Sequence, residues 1–332
     1  MKKAIALISI MLMIVMVVFV GMSCKTTATT TATKVESATT AASAKTYKIA
    51  LVLKTLTNPF FIIIQDAAKQ KANDLGVELL VQAPEQETDY EKQLAIVENM
   101  ISSKVDAIVI TLADAKALVP AIKKANDAGI IVITLNQRVD EAQLKNAGGF
   151  VDCYIGTDDR QAGQMCAEAL CKAINNKGEI ANLEGIAGNT VADDRNNGLK
   201  DIVSKYPEVK IVSSQPANWE TEKGYSVTQN ILQANPDIVG IFGDNDMMAL
   251  GAIKAVEDAG LAGKIQIVGL DAIADAINAV KNGSMYATLT QHPELMGSLG
   301  IENAVKKLNG ETIETDITTK NEVVDKSNVD KF

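Results

Sequence analysis

Short apolar runs alternate with amphipathic segments from Tyr47 almost to the end of the chain. Such continuous apolar runs are typical of strands buried on both faces of a sheet. The predicted strands are 47–53, 77–82, 105–111, 130–135, 151–156, 178–184, 209–215, 237–243, 264–270 and 285–291. Between them, segments such as 90–103, 115–128 and 247–259 carry apolar residues with the period of a helix. This alternation predicts an α/β fold with parallel sheets flanked by helices, and its size favours two domains.

The turn after the first predicted strand has an unusual composition. It runs Lys54-Thr55-Leu56-Thr57-Asn58-Pro59-Phe60-Phe61 and leads into a predicted helix that ends at Gly76. Asn58 can cap this helix, and Pro59 suits its first turn because that position needs no N–H. Two adjacent phenylalanines are unexpected in a loop, which normally faces water. They therefore either pack locally or contact a ligand.

A different pattern precedes the first strand. Lys2 and Lys3 are followed by a largely apolar segment, 4–20, which predicts an export signal peptide over 1–23. Cys24 resembles the lipidated cysteine of a bacterial lipoprotein; a cut elsewhere or an uncleaved anchor are the alternatives. Residues 24–45 are rich in Thr, Ala and Ser and are predicted to form a disordered tether. In each case the folded part is expected outside the cytoplasmic membrane, as a periplasmic or other extracytoplasmic protein.

Charge and cysteine content narrow the function. The net charge is −9 and no basic run is present, which argues against binding of nucleic acid. No glycine-rich dinucleotide or phosphate loop occurs, so no cofactor is predicted. Cys153, Cys166 and Cys171 allow at most one disulfide among them. Pairing of Cys153 with Cys166 and buried free thiols are the two options.

Amides, carboxylates, arginines and aromatic residues recur directly after the predicted strands. In open α/β sheets, ligands bind beyond the carboxyl ends of the strands. The polar groups can exchange hydrogen bonds with hydroxyls, and flat aromatic faces can cover the C–H faces of a sugar ring. Taken singly, each polar residue is explained as a helix cap or surface residue, but the series predicts a site for a monosaccharide or polyol. The candidate binding residues are Asn58, Phe60, Phe61, Asn136, Gln137, Arg138, Arg195, Trp219, Asn245, Asp271 and Gln291.

Several strings of residues resemble those of the ribose-type periplasmic binding proteins, the sugar-binding components of ABC importers. They are 55–61, 132–135, 185–188, 214–217, 245–252 and 268–271. The resemblance implies two Rossmann-like lobes joined by a hinge of three chain crossings, the type I periplasmic binding protein fold. It places the N-terminal lobe at 46–156 and 292–319, and the C-terminal lobe at 157–291 and 320–332.

The resemblance also assigns the candidate residues to a sugar site, with departures in the first lobe. Lys54 stands where a small hydroxyl residue is expected, and it joins the candidate binding residues. Asn136 and Gln137 replace an aspartate and an arginine, and Trp219 replaces a phenylalanine. Arg138 follows one step later. Because these changes alter which hydroxyls are accepted, the resemblance does not identify ribose as the ligand.

Three classes of function follow from these observations. The first is capture of a monosaccharide by a monomeric protein and its delivery to an ABC permease. The second, an enzyme, lacks parts: His292 is the single histidine, no His/Cys cluster suggests a metal site, and Asp193-Asp194 fits a helix start. The third is presentation of a bound sugar to a chemoreceptor or sensor kinase, which the sequence does not separate from transport. No catalytic residue and no metal ligand is predicted.

Overall fold

Two six-stranded sheets organise residues 46–332, the part of the chain that the computed structural model describes. The predicted signal peptide, the tether and Cys24 lie outside the described residues. Within 46–332, no helix combines the length and the apolar character needed to cross a membrane.

The elements of the described chain alternate between strand and helix. The strands are β1 (Lys48–Val52), β2 (Glu78–Gln82), β3 (Ala107–Thr111), β4 (Ile131–Leu135), β5 (Cys153–Gly156), β6 (Gly178–Glu184), β7 (Val209–Pro216), β8 (Ile238–Gly243), β9 (Gln266–Val268), β10 (Ala287–Thr290), β11 (Asp316–Thr318) and β12 (Glu322–Asp325). The helices are α1 (Pro59–Leu75), α2 (Tyr90–Ser102), α3 (Val119–Asp127), α4 (Glu141–Asn146), α5 (Asp159–Ala173), α6 (Thr190–Val203), α7 (Thr221–Ala234), α8 (Asp246–Asp258), α9 (Ala274–Asn282) and α10 (Pro293–Leu308), followed by a short 3₁₀ helix (Val329–Lys331).

Each sheet forms the centre of one lobe. The first lobe is built on the order β11-β5-β4-β3-β1-β2, and the second lobe on β12-β10-β9-β8-β6-β7. All strand pairs are parallel except β10 with β12. The α/β fold with helix-flanked parallel sheets is therefore confirmed.

The chain passes between the two sheets three times. It leaves the first sheet after β5, returns to it after β10, and crosses once more between β11 and β12. Hydrogen bonds tie the first and last crossings together: the Thr319 N–H donates to the Gly156 carbonyl at 2.6 Å, and Thr157 Oγ1 donates to Asn321 Oδ1 at 2.6 Å. We call the three connecting segments, 157–158, 291–292 and 319–321, the hinge.

The hinge also explains the antiparallel strand. β10 runs out of the second sheet toward the hinge, whereas β12 enters that sheet from the hinge, so Thr290 lies opposite Glu322 at the start of β12. The sequence analysis did not predict β11 or β12. Both are short and partly exposed, so neither carries a buried apolar run that would mark it as a strand.

The three cysteines of the described chain are free and buried, which decides between the two predicted options in favour of thiols. Burial raises the pKa of Cys153 to about 11 and that of Cys171 to about 11. Because the thiolate is the reactive form, these groups act as small apolar core side chains.

Candidate functional site

A cavity lies between the carboxyl edges of the two sheets. Each wall comes from turns that follow parallel strands, which is where an open α/β sheet presents its ligand-binding groups. The first lobe contributes Lys54, Asn58, Phe60, Phe61, Glu87 and Asn136, and the second contributes Val191, Arg195, Trp219, Asn245 and Asp271.

The two phenylalanines form one aromatic corner of this cavity. Asn58 caps α1 by accepting the Phe60 N–H at 3.0 Å, which sets both rings in the first turn of the helix. The rings meet edge to face, with centroids 5.3 Å apart and planes at 88°. Both side chains belong to the core and both line the cavity, so local packing and ligand contact are compatible here.

Trp219 supplies the aromatic surface of the second lobe. It follows Asn218 in a tight turn closed by the Glu220 N–H donating to the Ala217 carbonyl at 3.0 Å. Both central residues have positive φ, 54° for Asn218 and 67° for Trp219. A bulky residue in this region costs about 1–3 kcal/mol, and such strain is concentrated at functional sites.

Gly185 makes room for the indole. A Cβ at this position would lie 2.0 Å from Cζ2 of Trp219, closer than any real contact. The ring therefore rests directly on the backbone that follows β6. This contact fixes the plane that Trp219 presents to the cavity.

Arg195 is the buried cation of the second lobe. Its Nε donates to Asp159 Oδ1 at 3.0 Å and its Nη1 to the Asp244 carbonyl at 2.6 Å, while Nη1 lies 3.8 Å from Asp271 Oδ1. Burial lowers the pKa of Arg195, but the carboxylates of Asp159, Asp271 and Asp244 outweigh it and raise the pKa. The guanidinium thus stays charged and holds its carboxylate partners in place.

Asp271 lies beside Arg195 with its backbone in a rare conformation, φ 128°. Burial raises the pKa of Asp271 well above its ordinary value, although the Arg195 charge opposes that shift. Gln291 stands behind it and donates from Nε2 to Asp271 Oδ1 at 3.3 Å. A carboxyl group this well buried needs a hydrogen-bond partner in the cavity, and a sugar hydroxyl can serve as either donor or acceptor.

Lys54 and Glu87 face the cavity from the first lobe. The Lys54 ammonium donates to Gln137 Oε1 at 2.8 Å, and Asn58 Nδ2 donates to Glu87 Oε1 at 3.1 Å. Burial lowers the pKa of Lys54, with the Glu87 charge opposing the shift. Burial likewise raises the pKa of Glu87, against the charge of Lys54. This wall of the cavity therefore presents one basic and one acidic side chain, and burial disfavours the charged form of each.

Most of the residues proposed from the sequence come together in this cavity, and three do not line it. Gln137 and Gln291 lie behind the lining, in contact with Lys54 and Asp271 respectively. Arg138 points away: its guanidinium carbon lies 3.7 Å from the centroid of the Tyr154 ring, and its Nη1 lies 2.7 Å from Asp316 Oδ2. At 44% side-chain exposure, Arg138 belongs to the surface rather than to the cavity.

Two lining residues were missed by the sequence analysis. Glu87 lies in the polar loop after β2, beside Glu85 and Gln86, and no pattern distinguishes it from these neighbours. Val191 lies in the first turn of α6 and looks like any other apolar helix residue. The sequence analysis correctly predicted that this strand ends at residue 82, but the strand end alone does not single out one carboxylate in the loop that follows.

The residues considered for catalysis have structural surroundings. Within residues 46–332, no group of three or more His, Cys, Asp or Glu side chains could hold a metal ion. His292 lies in the hinge at the start of α10, with Nδ1 2.9 Å from Glu294 Oε1. Asp193 lies in the first turn of α6, which Asn189 caps.

Comparison with known proteins places this arrangement in context. A family model described as Periplasmic binding protein domain matches residues 49–312. The D-ribose/D-allose-binding protein of Pseudomonas aeruginosa is 40% identical over 280 residues, covering 84% of this chain and 87% of that protein. The ribose import binding protein of Haemophilus influenzae is 36% identical over 288 residues, covering 87% and 94% respectively.

Solved structures show the same similarity. The crystal structure of an ABC transporter periplasmic solute-binding protein from Actinobacillus succinogenes, with bound D-allose, superimposes with a TM-score of 0.83. It is 43% identical and covers 86% of this chain and all of that one, 100%.

Proposed function

The chain belongs to the periplasmic binding protein domain family, and we propose that it captures a monosaccharide, either a pentose or a hexose, or a related polyol between its two lobes. The observation that carries this proposal is the composition of the cavity between the sheets. Aromatic rings from both lobes border a space that is otherwise lined by buried hydrogen-bonding side chains. A sugar presents this same mixture of C–H faces and hydroxyls.

The balance of donors and acceptors favours a neutral ligand. Lys54 and Arg195 donate, Glu87 and Asp271 accept, and an amide such as Asn245 can do both. Each charged group of the cavity lies near an opposite charge of the protein itself, as Arg195 does near Asp159 and Asp271. A ligand with a net charge would therefore bring an uncompensated charge into a buried site, at a cost that hydroxyls avoid.

The names of the relatives suggest two sugars to compare. D-Allose repeats the hydroxyl pattern of D-ribose in the pyranose ring and adds one hydroxymethyl group. Proteins that bind one or both are among the relatives of this chain. The preference between them tests whether the cavity around Lys54 and Trp219 accommodates that extra group.

The proposal includes the fate of the bound sugar. Closure of the lobes removes the sugar from water, and the closed form is then recognised by the permease of an ABC importer. We further propose an extracytoplasmic, monomeric protein with lobes at 46–156 with 292–319 and at 157–291 with 320–332, lipid-anchored through Cys24. Family membership supports a binding role without catalysis. Presentation to a chemoreceptor or sensor kinase is the alternative output, and it uses the same site.

A thermal-shift panel of neutral monosaccharides and polyols, including D-allose and D-ribose, tests the proposal. A ligand present at 100 times its dissociation constant stabilises the folded protein by about 2.7 kcal/mol, which is a clear rise in melting temperature. Trp219→Leu should abolish the shift. Phe150→Leu, on an aromatic residue that is 55% exposed and outside the cavity, is the matched control and should retain it.

The panel can also contradict the proposal. A melting temperature that no pentose, hexose or polyol changes at millimolar concentration would do so. Binding that survives Trp219→Leu unchanged would locate the ligand elsewhere.

A further inference from the structure

Gln137 joins the two lobes through a single oxygen atom. Its Oε1 accepts the Lys54 ammonium of the first lobe at 2.8 Å and the Asn189 Nδ2 amide of the second lobe at 3.0 Å. Two donors converging on one atom identify that atom as the amide oxygen. Gln137 follows β4 of the first sheet, whereas Asn189 begins α6 of the second.

All three side chains are buried. Lys54 is 4% exposed, Gln137 1% and Asn189 7%. An unpaired polar group at such a position costs about 1–3 kcal/mol, and more when it is charged. Losing the Gln137 oxygen would therefore leave an ammonium and an amide without this acceptor.

This bond is distinctive because of where it lies. Among the described residues, the Gln137–Asn189 pair is the one direct side-chain hydrogen bond that we find between the lobes outside the hinge. Rotation of the sheets about the hinge moves Asn189 relative to Gln137, and a separation beyond about 3.5 Å ends the bond. The bond therefore reports the closed arrangement of the lobes.

We propose that Gln137 is a positioning residue that latches the closed lobes and ties this latch to the cavity through Lys54. The proposal rests on the proposed function, since Lys54 lines the same cavity as the sugar. Lys54 has one proton committed to Gln137, which leaves its others free for the ligand. A sugar that fixes Lys54 thereby fixes the acceptor that Asn189 requires. The sugar therefore strengthens a latch that also forms in the fraction of sugar-free molecules whose lobes are closed.

Three variants separate the latch from other roles of these side chains. Gln137→Met keeps the length and removes the acceptor, whereas Gln137→Glu keeps an acceptor. Asn189→Ser removes the Nδ2 donor but retains an oxygen that can cap α6, as Asn189 Oδ1 does for the Val191 N–H. Because Asn189→Ser leaves the Lys54 contact untouched, it tests the interlobe bond alone.

The first measurement is the rate of D-allose dissociation, followed by Trp219 fluorescence. Gln137→Met and Asn189→Ser should each raise it roughly tenfold or more, and Gln137→Glu should stay within about threefold of the wild type. Adding Asn189→Ser to Gln137→Met should have no further effect, because the bond is already lost. If the double variant raised the dissociation rate by the product of the two single effects, the two residues would act independently and the latch would be overturned. Dissociation rates that none of the variants changes would also overturn it.

The second measurement needs no sugar. Fluorescent labels on the two lobes of the full chain report the distribution of interlobe distances by energy transfer, and both latch-breaking variants should shift it toward the open form. An unchanged distribution contradicts the latch. A wild type that ignores D-allose, but whose distribution the variants shift, counts against the proposed sugar while supporting the latch.

Discussion

The contact between Gly185 and Trp219 is so close that adding a single methyl group at position 185 would displace the indole. The Cβ of an alanine at 185 would overlap Cζ2 of the indole, at 2.0 Å, so the ring must move. The indole also lines the cavity, so its displacement changes the space available to the sugar. Gly185→Ala should weaken D-allose binding at least tenfold, measured by calorimetry.

The matched control for this variant is Ala187→Ser, which also adds one heavy atom to the same loop. Ala187 is exposed, so the addition meets solvent and affinity should be unchanged. Equal affinities for the wild type and Gly185→Ala would mean that the indole does not form a wall of the site.

Asp244 gives stability a pH dependence. It accepts the Gly185 N–H at 2.9 Å on Oδ2, while its Oδ1 is buried without a partner. Burial raises the pKa of Asp244 to about 8, against the opposing effects of the Gly185 N–H and Arg195. The folded protein thus binds a proton that the unfolded chain releases near pH 4.

The sign of the effect follows from this difference. The contribution of neutral Asp244 is fully present below about pH 4 and is lost as the pH rises through about 8, with a slope of at most about 1.4 kcal/mol per pH unit. Asp244→Asn should flatten the fall in unfolding free energy between pH 5 and 8, measured by urea denaturation. Asp127→Asn on the exposed surface of α3 should leave the slope as it is. If unfolding free energy falls with pH as steeply in Asp244→Asn as in the wild type, or more steeply, the prediction is contradicted.

At the scale of the elements, the apolar pattern predicted the sheets better than it predicted their edges. β3 is buried at every residue and was predicted from its continuous apolar run. β11 and β12 were not predicted, because an edge strand that is partly exposed needs few apolar residues. The predicted helix 115–128 begins only at Val119, since Asp114 first ties the N–H groups of Lys116 and Ala117 into a turn.

For the candidate site, the sequence likewise predicted some features and not others. The positions after strands could be predicted because parallel strands bring their carboxyl ends to one edge. What a side chain does there could not. Gln137 and Arg138 are adjacent in sequence, yet one is 1% exposed and bonded across the cleft, while the other stacks on Tyr154 at the surface. That difference is set by neighbours from distant parts of the chain, such as Asn189 and Asp316.

At the scale of the whole molecule, the closed cavity implies that the lobes move. Its wall residues are buried: Trp219 is 6% exposed, Arg195 3% and Phe61 3%. A monosaccharide cannot pass such walls, so it must enter while the lobes are apart. The three short segments of the hinge are the connections about which the lobes can rotate.

Small-angle X-ray scattering of the folded part, 46–332, measures this movement. With saturating D-allose the radius of gyration should fall toward about 19 Å, the value for a compact chain of this length, and it should be larger without the sugar. Trp219→Leu at the same sugar concentration should keep the larger radius, because it lacks the contact between indole and sugar that stabilises the closed form. If the wild type binds D-allose with no change in its scattering profile, the sugar is not taken up by closure of the two lobes.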